Sequence, residues 1–351
     1  MKRFVIALVI VCLMLSACGA PATLPEPEPD LDVYEYEPEQ PVPQSPEEPE
    51  RDVEVMYEPQ LRDNIVPDED GYVILNGEKI HVEEVTFLDL GSGILGIWVD
   101  CIEPLRYFTN LTELSVFHIG ISDLTPLASL TNLTRLFLMA PEVNDISPLA
   151  NLTNLTWLLL ADMGTDDISP LANLTNLTGL WLGSNEIEDI SPLANLTNLT
   201  ELSLGSFVPH RPPPSVANQI IDIGPLANLT DLTKLILDTN QIEDVSALAS
   251  LTNLTELHLF DNQISDISPL ANLTNLTTLR LSMNEIEDIS PLANLISLRR
   301  LGLRDNQIAD FTPLMELTNL LVLLIDDTID DEQLGALRAA LPNTEIFGFD
   351  W

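Results

Sequence analysis

The chain has 351 residues, about two domains' worth at roughly 150 residues each. Fifty-five acidic side chains stand against 14 Lys and Arg, a formal net charge of −41. That excludes nucleic acid, whose phosphates need clustered cations, and electrostatic docking on an anionic membrane. A hydrophobic fraction of 45% is ample for a core, aromatics are only 5%, and three cysteines are too few for a disulfide scaffold.

In chain order, Lys2 and Arg3 precede an almost unbroken apolar run, Phe4 to Leu15. It is too short to span a bilayer of about 30 Å but suits the h-region of a secretory signal. The run ends in Leu15-Ser16-Ala17-Cys18, which resembles the bacterial lipobox. The resemblance implies that residues 1–17 are removed, that Cys18 is acylated, and that the chain is held outside the cytoplasm by this lipid alone. Cys101 would then be the remaining thiol, expected to pack as a small apolar group.

Residues 18–67 read as a stalk. Repeated Pro-Glu pairs cannot propagate a helix and favour an extended, self-repelling spacer. Tyr34 and Tyr36 are its one conceivable docking motif. Residues 68–84 follow as an N-terminal cap: two apolar runs flank Asn76-Gly77, a hairpin signal.

From 85 to 329 the chain repeats itself about eleven times. The leucine opening LxxLxL, or its equivalent, falls at Val85, Leu111, Leu133, Leu155, Leu177, Leu199, Leu232, Leu254, Leu276, Leu298 and Leu320. Successive steps are 26, then 22 four times, then 33, then 22 four times. The 33-residue step carries an 11-residue, proline-rich insertion around 205–216. The unit NLTNLTxLxLxxNxIxDISPLA is the leucine-rich repeat and resembles the internalin-type bacterial class. That resemblance implies protein–protein recognition at a host or cell surface. No residue-specific role carries over.

The same fold follows from physics. LxxLxL makes a short strand whose leucines point one way, and one such strand cannot bury them alone. Coils must therefore stack. The predicted fold is an α/β solenoid, a horseshoe with a parallel sheet on the concave face and short 3-10 or irregular turns outside. The Asn eight residues after the opening leucine is expected to form a ladder between coils. It is present as Asn185, Asn240, Asn262, Asn284 and Asn306, and as Asn218 beyond the insertion in the long coil, but Gly93, Ile119, Pro141 and Met163 replace it in earlier coils and Thr328 at the end. In Asp-Ile-Ser-Pro-Leu, Ser is expected to cap the outer turn and Pro to fill its first position. Residues 330–351 should close the stack with a helix begun near Asp330 and a last strand at Glu345-Ile346-Phe347.

Chemistry-bearing motifs are sparse. The Asn-Leu-Thr triplets match a glycosylation acceptor but belong to the repeat. One Asp per coil lacks the density of a calcium loop, and His81, His118, His210 and His258 lack metal-ligand spacing. No nucleophile–base pattern or phosphate-cradling loop is present, so neither catalysis nor a cofactor is expected.

Period-two alternation instead assigns the variable strand positions to the open face. Phe137, Trp157, Leu159 and Trp181 fall on three adjacent strands there, with Phe117 one strand further out. His258 and Phe260 occupy the same face later in the chain, and Phe207 lies in the insertion, a conceivable lip over the cluster. Contiguous apolar patches with tryptophan mark interaction sites. These residues are therefore the expected partner-binding set, for a protein or peptide whose apolar centre has a basic rim. A glycan stacked on the aromatics, or a scaffold without a ligand, are the alternatives.

Overall fold

The computed structural model describes residues 66–75, 78–90, 102–117, 120–206, 217–326 and 329–347. The expected signal, Cys18, nearly all of the stalk, the Asn76-Gly77 turn, Cys101, Phe207 with most of the insertion, Gly93, Ile119 and Thr328 lie outside the described residues.

Strands β1 (Tyr72–Leu75) and β2 (Glu78–His81) pair antiparallel. Then comes one parallel sheet of 12 strands in strict chain order. It begins with β3 (Phe87–Leu90), β4 (Glu113–Phe117), β5 (Arg135–Met139), β6 (Trp157–Leu160) and β7 (Gly179–Trp181). It continues with β8 (Glu201–Ser203), β9 (Lys234–Ile236), β10 (Glu256–His258), β11 (Thr278–Arg280), β12 (Arg300–Gly302) and β13 (Val322–Leu324). It ends with β14 (Glu345–Phe347). Register follows the repeat step. Leu257 faces Leu279, 22 residues on, and Leu202 faces Leu235, 33 residues on, so the insertion leaves the pairing unshifted. The leucine-rich-repeat solenoid expected from the repeat is the fold of the chain.

Each coil turns its apolar residues inward. In the coil of β11, Leu276, Leu279, Leu281, Ile286, Leu292 and Leu295 are all 0% exposed. Burying each such side chain contributes about 1.5–3 kcal/mol.

The asparagine ladder holds the coils in step. Asn262 Oδ1 accepts from Ile242 N at 3.1 Å, while its Nδ2 donates to Leu237 O at 3.1 Å in the previous coil and to Leu259 O at 3.2 Å in its own. Asn218, which follows the insertion, makes the same bonds to Ile187 N, Leu182 O and Leu204 O. Just before the ladder position the backbone turns through the left-handed region at Asp162, Ser184, Thr239, Asp261, Met283 and Asp305. Such a turn costs a non-glycine residue about 1–2 kcal/mol, and the ladder bonds offset it.

A second ladder explains the Asn-Leu-Thr triplets just before the strands. Asn275 Nδ2 donates to Thr252 O at 2.9 Å, and Thr277 Oγ1 donates to Thr255 O at 3.0 Å, each one coil back. The triplets are corner braces of the stack.

The outer turns are 3-10 helices such as Ser268–Asn272, and here one expectation is corrected. Ser is the first residue of the turn and caps nothing, and Pro is the second. The capping acceptor is the Asp two residues earlier. Asp123, Asp145, Asp167, Asp189, Asp222, Asp244, Asp266, Asp288 and Asp310 each accept the N–H two residues on, at 2.7–2.9 Å. This is an Asx turn, in which a short carboxylate reaches its own downstream backbone. In Asp145, Asp189, Asp266 and Asp310 the accepted backbone N–H, then the neighbouring hydroxyl, holds the carboxyl below its usual range.

Helix α1 (Asp331–Ala340) is capped by Asp330, whose side chain accepts from Gln333 N at 2.8 Å. Strand β14 then pairs with β13.

Replacing Asn262 by Ala strands the Ile242 N–H in the core, while Leu237 O and Leu259 O keep the Asn240 and Asn284 amides as donors. At about 1–3 kcal/mol for a buried unsatisfied group, the expected loss is about 1–3 kcal/mol. Urea denaturation checks it; a loss below about 1 kcal/mol would show the ladder to be dispensable.

Candidate functional site

Side chains of the strands that do not point into the core form three rows across the open face of the sheet. On β4 to β7 these rows are mainly apolar. Ser115, Phe137 and Leu159 face one another in register, and Leu159 faces Trp181. Trp157 faces Gly179, and Phe117 faces Met139. Phe117, Phe137, Met139, Trp157 and Trp181 are half-buried. Leu159 is only 5% exposed, so it is a floor beneath the aromatics rather than a surface for a ligand.

The two tryptophans are coupled. Their ring centroids lie 6.4 Å apart at an interplanar angle of 44°, within the range of favourable aromatic pairs. Trp157 rests on Gly179. A Cβ at that position would come within 2.3 Å of Trp157 Cε3. Glycine in a strand interior costs about 0.5–1 kcal/mol relative to Ala, so the seat of Trp157 is held against local propensity. Sequence reasoning placed both tryptophans but missed the glycine. Its signal was a residue without a side chain in register with a tryptophan.

On β9 to β11 the same face is a charged network. Lys234 Nζ lies 2.9 Å from Glu256 Oε1, and His258 Nε2 lies 3.1 Å from the same oxygen. His258 Nδ1 and Arg280 Nη1 stand 3.6 Å and 3.5 Å from Asp238 Oδ2. Asp238 is 4% exposed and also accepts from Phe260 N at 2.8 Å. Arg280 lies over the Phe260 ring at 5.3 Å from its centroid, a cation–π contact. Phe260 is therefore buried at 5%, and His258 is held between two carboxylates. Neither stands free on the surface as the sequence suggested. Phe87 on β3, omitted from the expected set, is 56% exposed. The network was not foreseen because its members lie about one repeat apart in sequence and meet only when coils stack.

Among the described residues no group of three or more His, Cys, Asp or Glu has the arrangement of a metal site. No helix there is long and apolar enough to cross a membrane.

The fold and the ladders define a leucine-rich-repeat module. A family model described as Leucine Rich repeats (2 copies) matches residues 153–195, 175–208 and 252–294. The chain is similar to an internalin (inlF) of Listeria monocytogenes, at 31% identity and a TM-score of 0.64, covering 79% of this chain and 91% of that one. It is also similar to an internalin C2 (inlC2) of the same organism, at 37% identity and a TM-score of 0.49, covering 63% of this chain and 83% of that one. No curated protein sequence matches the chain. By its repeat, its fold and this identity over nearly the whole of a solved relative, the chain belongs to the internalin-type bacterial leucine-rich-repeat proteins.

The His258 network has a defined pH window. Burial alone would lower the His258 pKa, but the Asp238 and Glu256 carboxylates outweigh it and hold the pKa above 6.5. Glu256 is pushed from 4.5 down to about 2, first by its hydrogen bond from His258. A raised histidine stabilises the fold fully below 6.5 and loses that contribution as pH rises through its folded value. A lowered glutamate contributes fully above 4.5 and loses its contribution as pH falls toward 2. The network should be firmest between these limits. An NMR titration of His258 is expected to give a pKa above 6.5, and Glu256→Gln should lower it; an unchanged value in that variant would break the assignment.

Proposed function

We propose that this protein is an extracytoplasmic binding module that recognises a protein or peptide through the aromatic end of its open sheet face. The observation that carries the reading is the Trp157–Trp181 pair seated on Gly179. Open-face positions have no part in burying the leucine core, so folding does not explain a tryptophan pair there, nor the glycine beneath it. Tryptophan and tyrosine dominate interface hot spots because they bury large areas at low entropic cost. Membership of the internalin-type family supports a protein ligand.

Affinity capture with the mature chain, from protein extract and in parallel from isolated cell wall, tests this reading. Trp157→Ala with Trp181→Ala is expected to weaken capture from protein extract on the order of 30-fold for each ring lost, from about 2 kcal/mol per hot spot, with a cooperative melting curve retained. Gly179→Ala, which unseats Trp157 while keeping both rings, should weaken it in the same direction. Undiminished affinity in both variants would remove the patch from the site. Capture from cell wall alone would favour a glycan stacked on the same rings.

The same reading places the module on a membrane through Cys18, on the strength of the basic, apolar and Leu-Ser-Ala-Cys segments in order. Labelling cells with a radioactive fatty acid should mark the wild-type chain and leave Cys18→Ala unlabelled; label retained in the variant would dispose of the anchor.

A further inference from the structure

Charge on this protein is sorted by face. Residues 71–351 carry a net charge of −28, and one Asp in most coils is spent on the outer turns as a cap. Lys and Arg number only 10 in that span. Three of them, Lys234, Arg280 and Arg300, occupy open-face positions of β9, β11 and β12, with His258 on β10 between, and Arg304 follows two residues beyond β12. The carboxylates of the same stretch, Glu256 and Asp238, are engaged among these cations and with backbone. Arg304 pairs with neighbouring Asp305 at 3.3 Å. Cations outnumber carboxylates on those strands, the reverse of the protein as a whole.

The local surface suits a carboxylate. Gly302 faces Arg280 across the ladder and adds no side chain between the arginines. Arg300 is exposed and Arg304 is close to exposed. Guanidinium groups bind carboxylates through paired, charge-assisted hydrogen bonds, worth about twice a neutral one.

We infer that the partner is an acidic peptide segment: an apolar residue seats on Trp157 and Trp181, and carboxylates downstream meet Arg280, Arg300 and Arg304. This rests on the open face being the recognition surface, and it reverses the basic partner expected from net charge. Trp181 on β7 and Arg280 on β11 are four strands apart, about 19 Å at about 4.8 Å per strand. An extended segment of about six residues spans that distance at about 3.3 Å each. The charge pattern steers approach as well as fit, since an acidic ligand is repelled from the outer turns and attracted to this face.

A displayed library of random 12-residue peptides, selected on the immobilised mature chain, tests the inference. Peptides enriched on wild type are expected to carry Asp and Glu together with an aromatic or leucine. They should bind Arg300→Glu with Arg304→Glu at least tenfold more weakly, and weaken with added salt. Both arginines lie away from the leucine core, and a melting curve verifies that the variant folds. Enrichment of basic or uncharged peptides would overturn the inference. If selected peptides weaken on Trp157→Ala with Trp181→Ala but not on the arginine variant, the aromatic face stands and the acidic partner falls. If they weaken on neither, the open-face reading fails as well. An empty selection alongside binding of dextran sulfate would assign the cations to a polyanionic glycan instead and overturn the peptide.

Discussion

No coil of this chain can bury its own leucines. A strand of three to five residues turns its apolar side inward, and that side meets solvent unless another coil lies against it. Everything else follows from stacking. The pairing offset must equal the repeat length, which is why Leu257 faces Leu279 and why the long coil still brings Leu202 to Leu235. The corner bonds of Asn275 and Thr277 reach back one coil for the same reason.

Stacking requires the chain to turn sharply at the same point in coil after coil, and ordinary residues resist the left-handed backbone used there. Thr239 and Met283 adopt it next to Asn240 and Asn284, whose side chains take up the backbone groups that the turn exposes. The aspartates at the outer turns act in the same way on a smaller scale. Much of the acidity of the repeat body is thereby structural, and net charge is a poor guide to what the binding face carries.

The open face is free of these duties, and its residues vary accordingly. At one end it holds the tryptophan pair on Gly179; at the other, arginines gather around His258 and Asp238. Asp238 shows how the two roles meet. It is buried, it anchors Phe260 N of the next coil, and it positions Arg280 and His258. Removing it would take the carboxylate from beside Arg280 and leave His258 with Glu256 alone, beneath a surface that the ligand must approach.

The sequence by itself determined the solenoid, the asparagine ladder and the rows in which Trp157 and Trp181 fall. These depend on period and spacing, and a 22-residue step projects every variable residue onto a known face. It could not assign exposure. Leu159 and Phe260 sit in open-face rows yet are covered by the side chains around them, and a period says nothing of what lies on top. It also misassigned the turn cap to Ser, because Asp and Ser are both good caps and only the backbone path decides which reaches the N–H. The meeting of Lys234, Asp238, Glu256, His258 and Arg280 was decided by tertiary structure alone. Their contacts run across coils, perpendicular to the chain, where side-chain length and direction choose partners that linear spacing leaves open.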